Sequence, residues 1–170
     1  MDHSAIPDNE LAASAQAGDD SAFQELMRRH IRPIWVFSRQ YAKSDEDTED
    51  IVQETFFKAW KYLKRFDAGK AFRPWLYAIA RNNALDHIKK RRATSFTEMS
   101  GDDEQQFADT LEDAEPLAPE LFERSEVAKE LDVSMSTLHP DYRAVLSMHY
   151  HDGMTFNEIA EILGKPMNTV

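Results

Sequence analysis

FRPWLYAIARNNALDHIKKRR, residues 72–92, places apolar side chains at helical spacing and ends in a run of cations. Trp75, Leu76 and Ile79 recur every three or four residues, which is the period of one face of an α-helix. Pro74 suits the first turn of such a helix, where a backbone amide would have had no partner. The stretch therefore predicts one amphipathic helix with a basic carboxyl-terminal end.

The rest of the chain has the same helical periodicity and almost no strand alternation, so we expect an all-α fold. Helices are predicted over residues 8–18, 21–41 and 44–66 before the quoted stretch, and over residues 119–138, 140–153 and 155–163 after it. The helix from Ser21 is expected to open with a capping box, S-A-F-Q, and to kink at Pro33. The acidic start of the third helix, SDEDTED, favours the positive end of a helix dipole.

Composition limits the class of protein. The chain has 170 residues, of which 42% are hydrophobic, a share typical of a globular protein. It has no cysteine, which excludes disulfides and thiolate metal sites. No run approaches the roughly 18 apolar residues of a membrane span, and the amino terminus lacks a signal-peptide profile. We therefore expect a cytoplasmic protein without membrane insertion.

Charge is distributed unevenly around a formal net charge of -11. Residues 58–92 hold eleven Lys and Arg against two acids, a local balance of +9. Residues 98–132 hold thirteen acids against two cations, a balance of -11. This asymmetry indicates one surface for a polyanion and another for a cationic partner, although solvated helix faces would produce similar runs.

The acidic segment also divides the chain. It is poor in large apolar residues and contains Pro116, so it resembles a linker rather than a packed element. We predict a helical domain over residues 1–93, a flexible acidic linker over 94–118, and a second helical domain over 119–170.

The last segment, FNEIAEILGKPMNTV, has the spacing of a helix-turn-helix. Ala160 stands where two crossing helices must touch closely, and Gly164 stands where a left-handed turn needs a residue without a Cβ. Val170 follows six residues later, where the second helix packs back on the first. The pattern favours DNA binding, and an arbitrary pair of antiparallel helices is the alternative.

Aromatic and basic residues in the quoted stretch are what single-stranded DNA binding requires. Rings stack on unpaired bases while Lys and Arg follow the phosphates, and an asparagine amide can hydrogen-bond a base edge. Taken alone, each of the apolar residues is most simply explained by a place in the core.

Four motifs in order resemble the extracytoplasmic-function sigma factors of bacterial RNA polymerase. They are SAFQELMRRH, EDIVQETFFKAWKYLKRF, FRPWLYAIARNNALDHIKKRR and LHPDYRAVLSMHYHDGMTFNEIAEILGKPMNTV. The resemblance implies two helical modules, the second and fourth sigma regions, and a function in promoter recognition, DNA melting and transcription initiation. The implied partners are core RNA polymerase, single-stranded minus-ten and duplex minus-thirty-five promoter DNA, and an anti-sigma factor. No cofactor and no enzymatic activity are expected.

The resemblance also implies roles for individual residues. Core polymerase binding falls on Asp50, Gln53, Glu54, Phe57 and Trp60. Minus-ten DNA binding falls on Phe72, Trp75, Arg81, Asn82, Asp86, Lys89, Lys90, Arg91 and Arg92. Minus-thirty-five DNA binding falls on Thr155, Glu158, Lys165 and Thr169. Members of the family continue past the valine with a basic recognition helix, so we expect duplex minus-thirty-five binding to be impaired in these 170 residues.

Two other classes of protein remain as alternatives. Another helix-turn-helix regulator would share the carboxyl-terminal pattern but would not account for residues 50–92. A metal-dependent enzyme would rest on His149, His151 and Asp152, which lie close in sequence but lack an accompanying acid–base pair.

Overall fold

The structure, a computed structural model, describes residues 5–98, 130–131 and 133–169, with no side chain described from residue 92 to residue 98. Within these ranges the chain forms helices and turns without a strand, so the predicted all-α fold is confirmed. None of the helices in the described part of the chain is both long and apolar enough to cross a membrane.

Six α-helices make up most of the described chain. They are α1 (Asp8–Gln16), α2 (Asp20–Arg39), α3 (Asp45–Tyr62), α4 (Phe72–Glu98), α5 (Pro140–Leu146) and α6 (Phe156–Leu163). A 3-10 turn, Leu63–Arg65, follows α3, a π-helical turn, Ser147–His151, follows α5, and a 3-10 turn, Met167–Thr169, follows α6. Helix α4 continues to Glu98 and so enters the segment predicted as linker from residue 94. Residues 99–118 of that segment lie outside the described residues, and the domain limits stay a prediction.

Local capping signals explain most helix starts. The Ser44 hydroxyl accepts from the Asp47 amide at the start of α3, and three acidic residues stand in the first turn of that helix. The start predicted for α2 was wrong by one residue, and its cap is Asp19, not Ser21. The Asp19 carboxylate accepts both the Ser21 amide and the Ser21 hydroxyl, because a carboxylate can take two donors at once. Pro33 lies inside α2.

Helices α1 to α4 enclose an apolar core. Large side chains with no more than 2% exposure come from all four helices, among them Leu11, Leu26, Phe37, Ile51 and Leu76. The residues buried in the second half of the chain, which include Met148 and Ile159, belong to the same contiguous cluster. Helix α6 packs along α4, so the two halves of the described chain are in direct contact.

The turn after α6 has the geometry that the helix-turn-helix pattern predicted. Gly164 ends the helix with φ 61°, in the left-handed region, and its amide and the Lys165 amide bond back to carbonyls of the last turn. At the other end of α6, Thr155 and Glu158 form a reciprocal capping box.

Gly164→Ala is expected to lower the free energy of unfolding by about 1 kcal/mol. An added Cβ meets nothing within 4 Å, so the cost comes from the left-handed backbone rather than from a clash. Urea unfolding followed by circular dichroism measures it. Glu161→Ala, an exposed position in the same helix, should stay within about 0.5 kcal/mol of the wild type, and an equal loss in both variants would contradict the backbone explanation.

Candidate nucleic-acid interface

The exposed face of α4 carries a mixed row of polar side chains. Asn82, Asp86, Lys89 and Lys90 are exposed, and the Lys89 ammonium lies 3.8 Å from the Asp86 carboxylate. Arg91 is turned towards α3, where its guanidinium donates to the Asp47 carboxylate at 2.6 Å. The side chain of Arg92, also predicted here, lies outside the described residues.

Phe72 cannot stack on a DNA base in this structure, so that part of the prediction was wrong. Its side chain is 1% exposed, and its ring packs against Phe66 and Trp75 at centroid distances of 5.7 and 5.5 Å. Its backbone amide donates to the Asn9 side chain of α1 at 2.9 Å. Phe72 therefore anchors the first turn of α4. Trp75 is half-buried and lies 4.9 Å from Phe66 between ring centroids, so only part of its indole is accessible.

Arg81 was predicted to bind minus-ten DNA, but its side chain is mostly covered in the structure. Its side chain is 15% exposed, and its guanidinium lies 3.6 Å from the Asp141 carboxylate of α5. The second half of the chain thus covers this part of α4.

The two adjacent asparagines of α4 face opposite environments. Asn82 is exposed, whereas Asn83 is buried and joins α4 to α3. The Asn83 carbonyl oxygen accepts from Lys58 Nζ at 2.6 Å, and its amide nitrogen donates to Thr55 Oγ1 at 3.1 Å. This network was not predicted from the sequence.

The residues predicted for polymerase binding share one side of α3. Asp50, Gln53 and Glu54 are exposed, and the Glu54 carboxylate lies 3.2 Å from Lys58 Nζ. Phe57 is 60% exposed and Trp60 is 45% exposed. Both rings line an apolar groove of about 490 Å³ between α2 and α3. This face combines carboxylates with accessible aromatic surface, a combination suited to protein docking.

Four residues were predicted to bind duplex minus-thirty-five DNA. Two of them, Thr155 and Glu158, cap α6, and the other two, Lys165 and Thr169, are exposed. Thr155 Oγ1 accepts from the Glu158 amide, and the Glu158 carboxylate accepts from the Thr155 amide and hydroxyl. The two bonds from Thr155, that of its amide first, hold the pKa of the Glu158 carboxyl below its ordinary value. Thr169 is exposed, and Lys165 Nζ lies 3.6 Å from the Asp141 carboxylate. Val170 lies outside the described residues.

The three candidate metal ligands do not all come together. His151 Nδ1 lies 3.1 Å from the Asp152 carboxylate, which also accepts from the Tyr77 hydroxyl, whereas His149 Nδ1 lies 2.9 Å from the Met154 carbonyl oxygen. Across the described ranges, no group of three or more His, Cys, Asp or Glu side chains is arranged to hold a metal ion.

Both halves of the chain match models of known protein families. The family model for Sigma-70 region 2 matches residues 26–94, and the model for Sigma-70, region 4 matches residues 128–170. The RNA polymerase sigma factor NccH of Alcaligenes xylosoxydans xylosoxydans is 33% identical over 163 residues, which are 96% of this chain and 86% of that protein. The chain belongs to the sigma-70 family.

Further relatives narrow the group to which this sigma factor belongs. The ECF RNA polymerase sigma-E factor of Escherichia coli is 29% identical over 97% of this chain and 87% of its own length. The structure of CnrH in complex with the cytosolic domain of CnrY is similar with a TM-score of 0.64, at 28% identity over 95% of this chain and 86% of that one. The sigma factor RpoE of Bartonella quintana, at 21% identity and a TM-score of 0.62, covering 86% of each chain, shares the fold. The protein is an RNA polymerase sigma factor of the extracytoplasmic-function group, which confirms the resemblance seen in the sequence.

Proposed function

We propose that this sigma factor captures an unpaired minus-ten base with Asn82 while the exposed side of α3 binds core RNA polymerase. The observation that carries the proposal is the contrast within the asparagine pair of α4. Asn83 is bonded to Lys58 and Thr55 of α3, which fixes this turn of α4, and the neighbouring Asn82 lies on the exposed face of that turn. An exposed asparagine on a fixed helix is suited to reading a base edge.

The proposed minus-ten surface is smaller than the one that the sequence suggested. We assign base reading to Asn82, phosphate contacts to Lys89 and Lys90, and an accompanying apolar contact to the exposed part of Trp75. The Asp86 carboxylate lies 3.8 Å from the Lys89 ammonium on the same face. The sigma factor is proposed to open promoter DNA by holding the unpaired strand, without covalent chemistry of its own.

The proposed polymerase surface consists of the α3 carboxylates and the two exposed rings. Asp50 and Glu54 lie one helical turn apart, so both can face basic side chains of a partner helix. Phe57 and Trp60 supply the apolar part of the contact. The centre of a protein interface is typically rich in aromatic residues and poor in charged ones, and the charged residues lie at its rim.

Two further partners are proposed for other parts of the chain. Lys165 and Thr169 are assigned to the minus-thirty-five duplex because they are exposed near the turn after α6, whereas Thr155 and Glu158 position that helix through its cap.

The related CnrH was solved with the cytosolic domain of a second protein, CnrY, and we propose a comparable inhibitory partner for this chain.

Asn82→Ala is expected to reduce discrimination at one minus-ten position by about 1–3 kcal/mol, because a lost base contact costs about that much. Polymerase affinity should not change, since Asn82 lies on α4 and the proposed polymerase surface on α3. A promoter selected from a random library by the wild-type holoenzyme supplies the template. Melting is then compared on that promoter and on its single-base variants.

The matched control is Asn157→Ala, which removes another exposed asparagine from the second half of the chain. It should leave minus-ten preference unchanged. If Asn82→Ala melts every template with the wild-type order of preference, Asn82 does not read a base.

A further inference from the structure

Two polar side chains of α1 reach the connection between α3 and α4. Asn9 and Gln16 are seven residues apart in the sequence, about two helical turns, so they lie on the same side of α1. The Gln16 amide nitrogen donates to the carbonyl oxygens of Leu63 and Phe66 at 2.8 and 2.6 Å. An amide group has two donor hydrogens, so this one side chain holds the end of the 3-10 turn that follows α3.

Asn9 holds the other end of the connection. Its carbonyl oxygen accepts from the Phe72 amide at 2.9 Å, and its amide nitrogen donates to the Lys70 carbonyl oxygen at 3.0 Å. The first amides of a helix have no partner within the helix, and a side chain just before the helix usually accepts one of them. At Phe72 the acceptor comes instead from a residue 63 positions away in the sequence. Asn9 and Gln16 are called here the α1 clamp.

The clamped positions carry two of three aromatic rings that pack together at the start of α4. Phe66 lies 5.7 Å from Phe72 and 4.9 Å from Trp75 between ring centroids, and Phe72 lies 5.5 Å from Trp75. Phe66 and Phe72 are buried, whereas Trp75 is half-buried. The α1 clamp bonds the backbone of both buried phenylalanines, and the Trp75 indole packs on their rings.

Trp75 and Asn82 are also seven residues apart, so they lie on the same side of α4. The proposed function assigns a base edge to Asn82 and an apolar contact to Trp75. Contact between two apolar surfaces depends steeply on distance, because a gap of about 0.5–1 Å already forfeits a quarter to a half of their attraction. The position of the indole, and with it the position of the two rings beneath it, therefore affects how well an unpaired base can stack there.

We propose that Asn9 and Gln16 are positioning residues for minus-ten recognition, which hold the connection between α3 and α4 in one conformation and thereby set the Trp75 indole for an unpaired base. The proposal rests on the DNA contact that the proposed function assigns to Trp75. The two clamp residues act through four hydrogen bonds to backbone atoms of the connection and do not themselves contact DNA.

Fluorescence quenching in the free full-length chain tests whether the α1 clamp sets the indole. The chain has three tryptophans, so Trp35→Phe with Trp60→Phe leaves Trp75 as the only one. In this background we expect Asn9→Ala with Gln16→Ala to raise the acrylamide quenching constant about twofold or more, because a half-buried indole that leaves its two neighbouring rings at least doubles its accessible surface.

Promoter melting by the holoenzyme tests whether the α1 clamp acts through Trp75. The template is the promoter that the wild type selects from a random library, and all three tryptophans are otherwise kept. Trp75→Leu keeps an apolar side chain but removes the stacking ring, and it should reduce the melting equilibrium constant about fivefold or more. Asn9→Ala with Gln16→Ala should lose a similar factor when Trp75 is present and nothing further in the Trp75→Leu chain, because two changes that remove the same contact are not additive.

Two control variants separate positioning from a general loss of stability. Ile34→Val trims a fully buried side chain of α2 without removing a hydrogen bond, and it should leave both quenching and melting unchanged. Asn9→Asp keeps the acceptor for the Phe72 amide and loses only the donor to the Lys70 carbonyl, so it should retain more of the wild-type values than Asn9→Ala does.

The outcomes distinguish the α1 clamp from the proposed function. The clamp is overturned if its variant has the wild-type quenching constant, if its melting defect simply adds to that of Trp75→Leu, or if Ile34→Val reproduces the defect. In each of these cases a defect in Trp75→Leu would still support the DNA contact of Trp75. If Trp75→Leu melts the promoter as well as the wild type does, the contact assigned to Trp75 is wrong and the proposed role of the clamp fails with it.

Discussion

Replacing Asp50 and Glu54 by lysine is expected to weaken binding to core RNA polymerase by about tenfold or more. Both carboxylates are exposed on α3 and lie one turn apart, so the double reversal changes four units of charge on one small surface. Like charges across an interface cost several kcal/mol when they are close and lower the association rate when they lie at the rim. Titration of labelled sigma factor with core polymerase at two salt concentrations measures both effects.

Glu10→Lys with Glu161→Lys is the control for this charge reversal. It makes the same change in net charge at exposed positions on α1 and α6 and should preserve polymerase affinity. Circular dichroism checks that each variant folds. This check is needed because the Lys58 ammonium pairs with Glu54 in the wild type, and Glu54→Lys replaces that partner with a second cation one turn before Lys58. A folded Asp50→Lys, Glu54→Lys variant with wild-type affinity would show that these acids only solvate α3.

Helix ends were predictable where a short signal fixes them. Ser44 and Thr155 cap their helices through atoms within three residues, and Gly164 supplies the left-handed turn that its position required. The cap of α2 was missed because Asp19 and Ser21 are both good acceptors, and a capping-box pattern favoured the second. A linker was predicted from residue 94, but α4 continues to Glu98. A composition poor in large apolar residues indicates that a segment packs weakly, and it does not indicate where a helix ends.

Exposure within the candidate site was harder to predict from sequence. Phe72 is buried because α1 and the ring of His30 pack against the first turn of α4. The sequence of α4 alone does not predict these contacts with other helices. Arg81 is covered because its partner, Asp141, lies in the other half of the chain. The bond between Asn83 and Lys58 was not predicted either, because it joins two helices.

Phe37→Ala is expected to lower the free energy of unfolding by about 3–5 kcal/mol, the range for removing a buried phenylalanine ring. Phe37 is fully buried in α2, and its ring packs against both Tyr41 and Tyr77 at centroid distances of 5.4 and 5.1 Å. These two tyrosines donate to Asp141 and Asp152 in the second half of the chain. The substitution therefore leaves a cavity beneath both donors, and denaturant unfolding followed by circular dichroism measures the loss.

The matched control is Phe57→Ala, which removes the same ring from an exposed position on α3 and should change stability by no more than about 0.5 kcal/mol. Small proteins have a stability of only about 5–15 kcal/mol, so Phe37→Leu provides a milder variant that stays folded. Equal unfolding free energies for Phe37→Ala and Phe57→Ala would contradict the packing of the Phe37 ring against the two tyrosines.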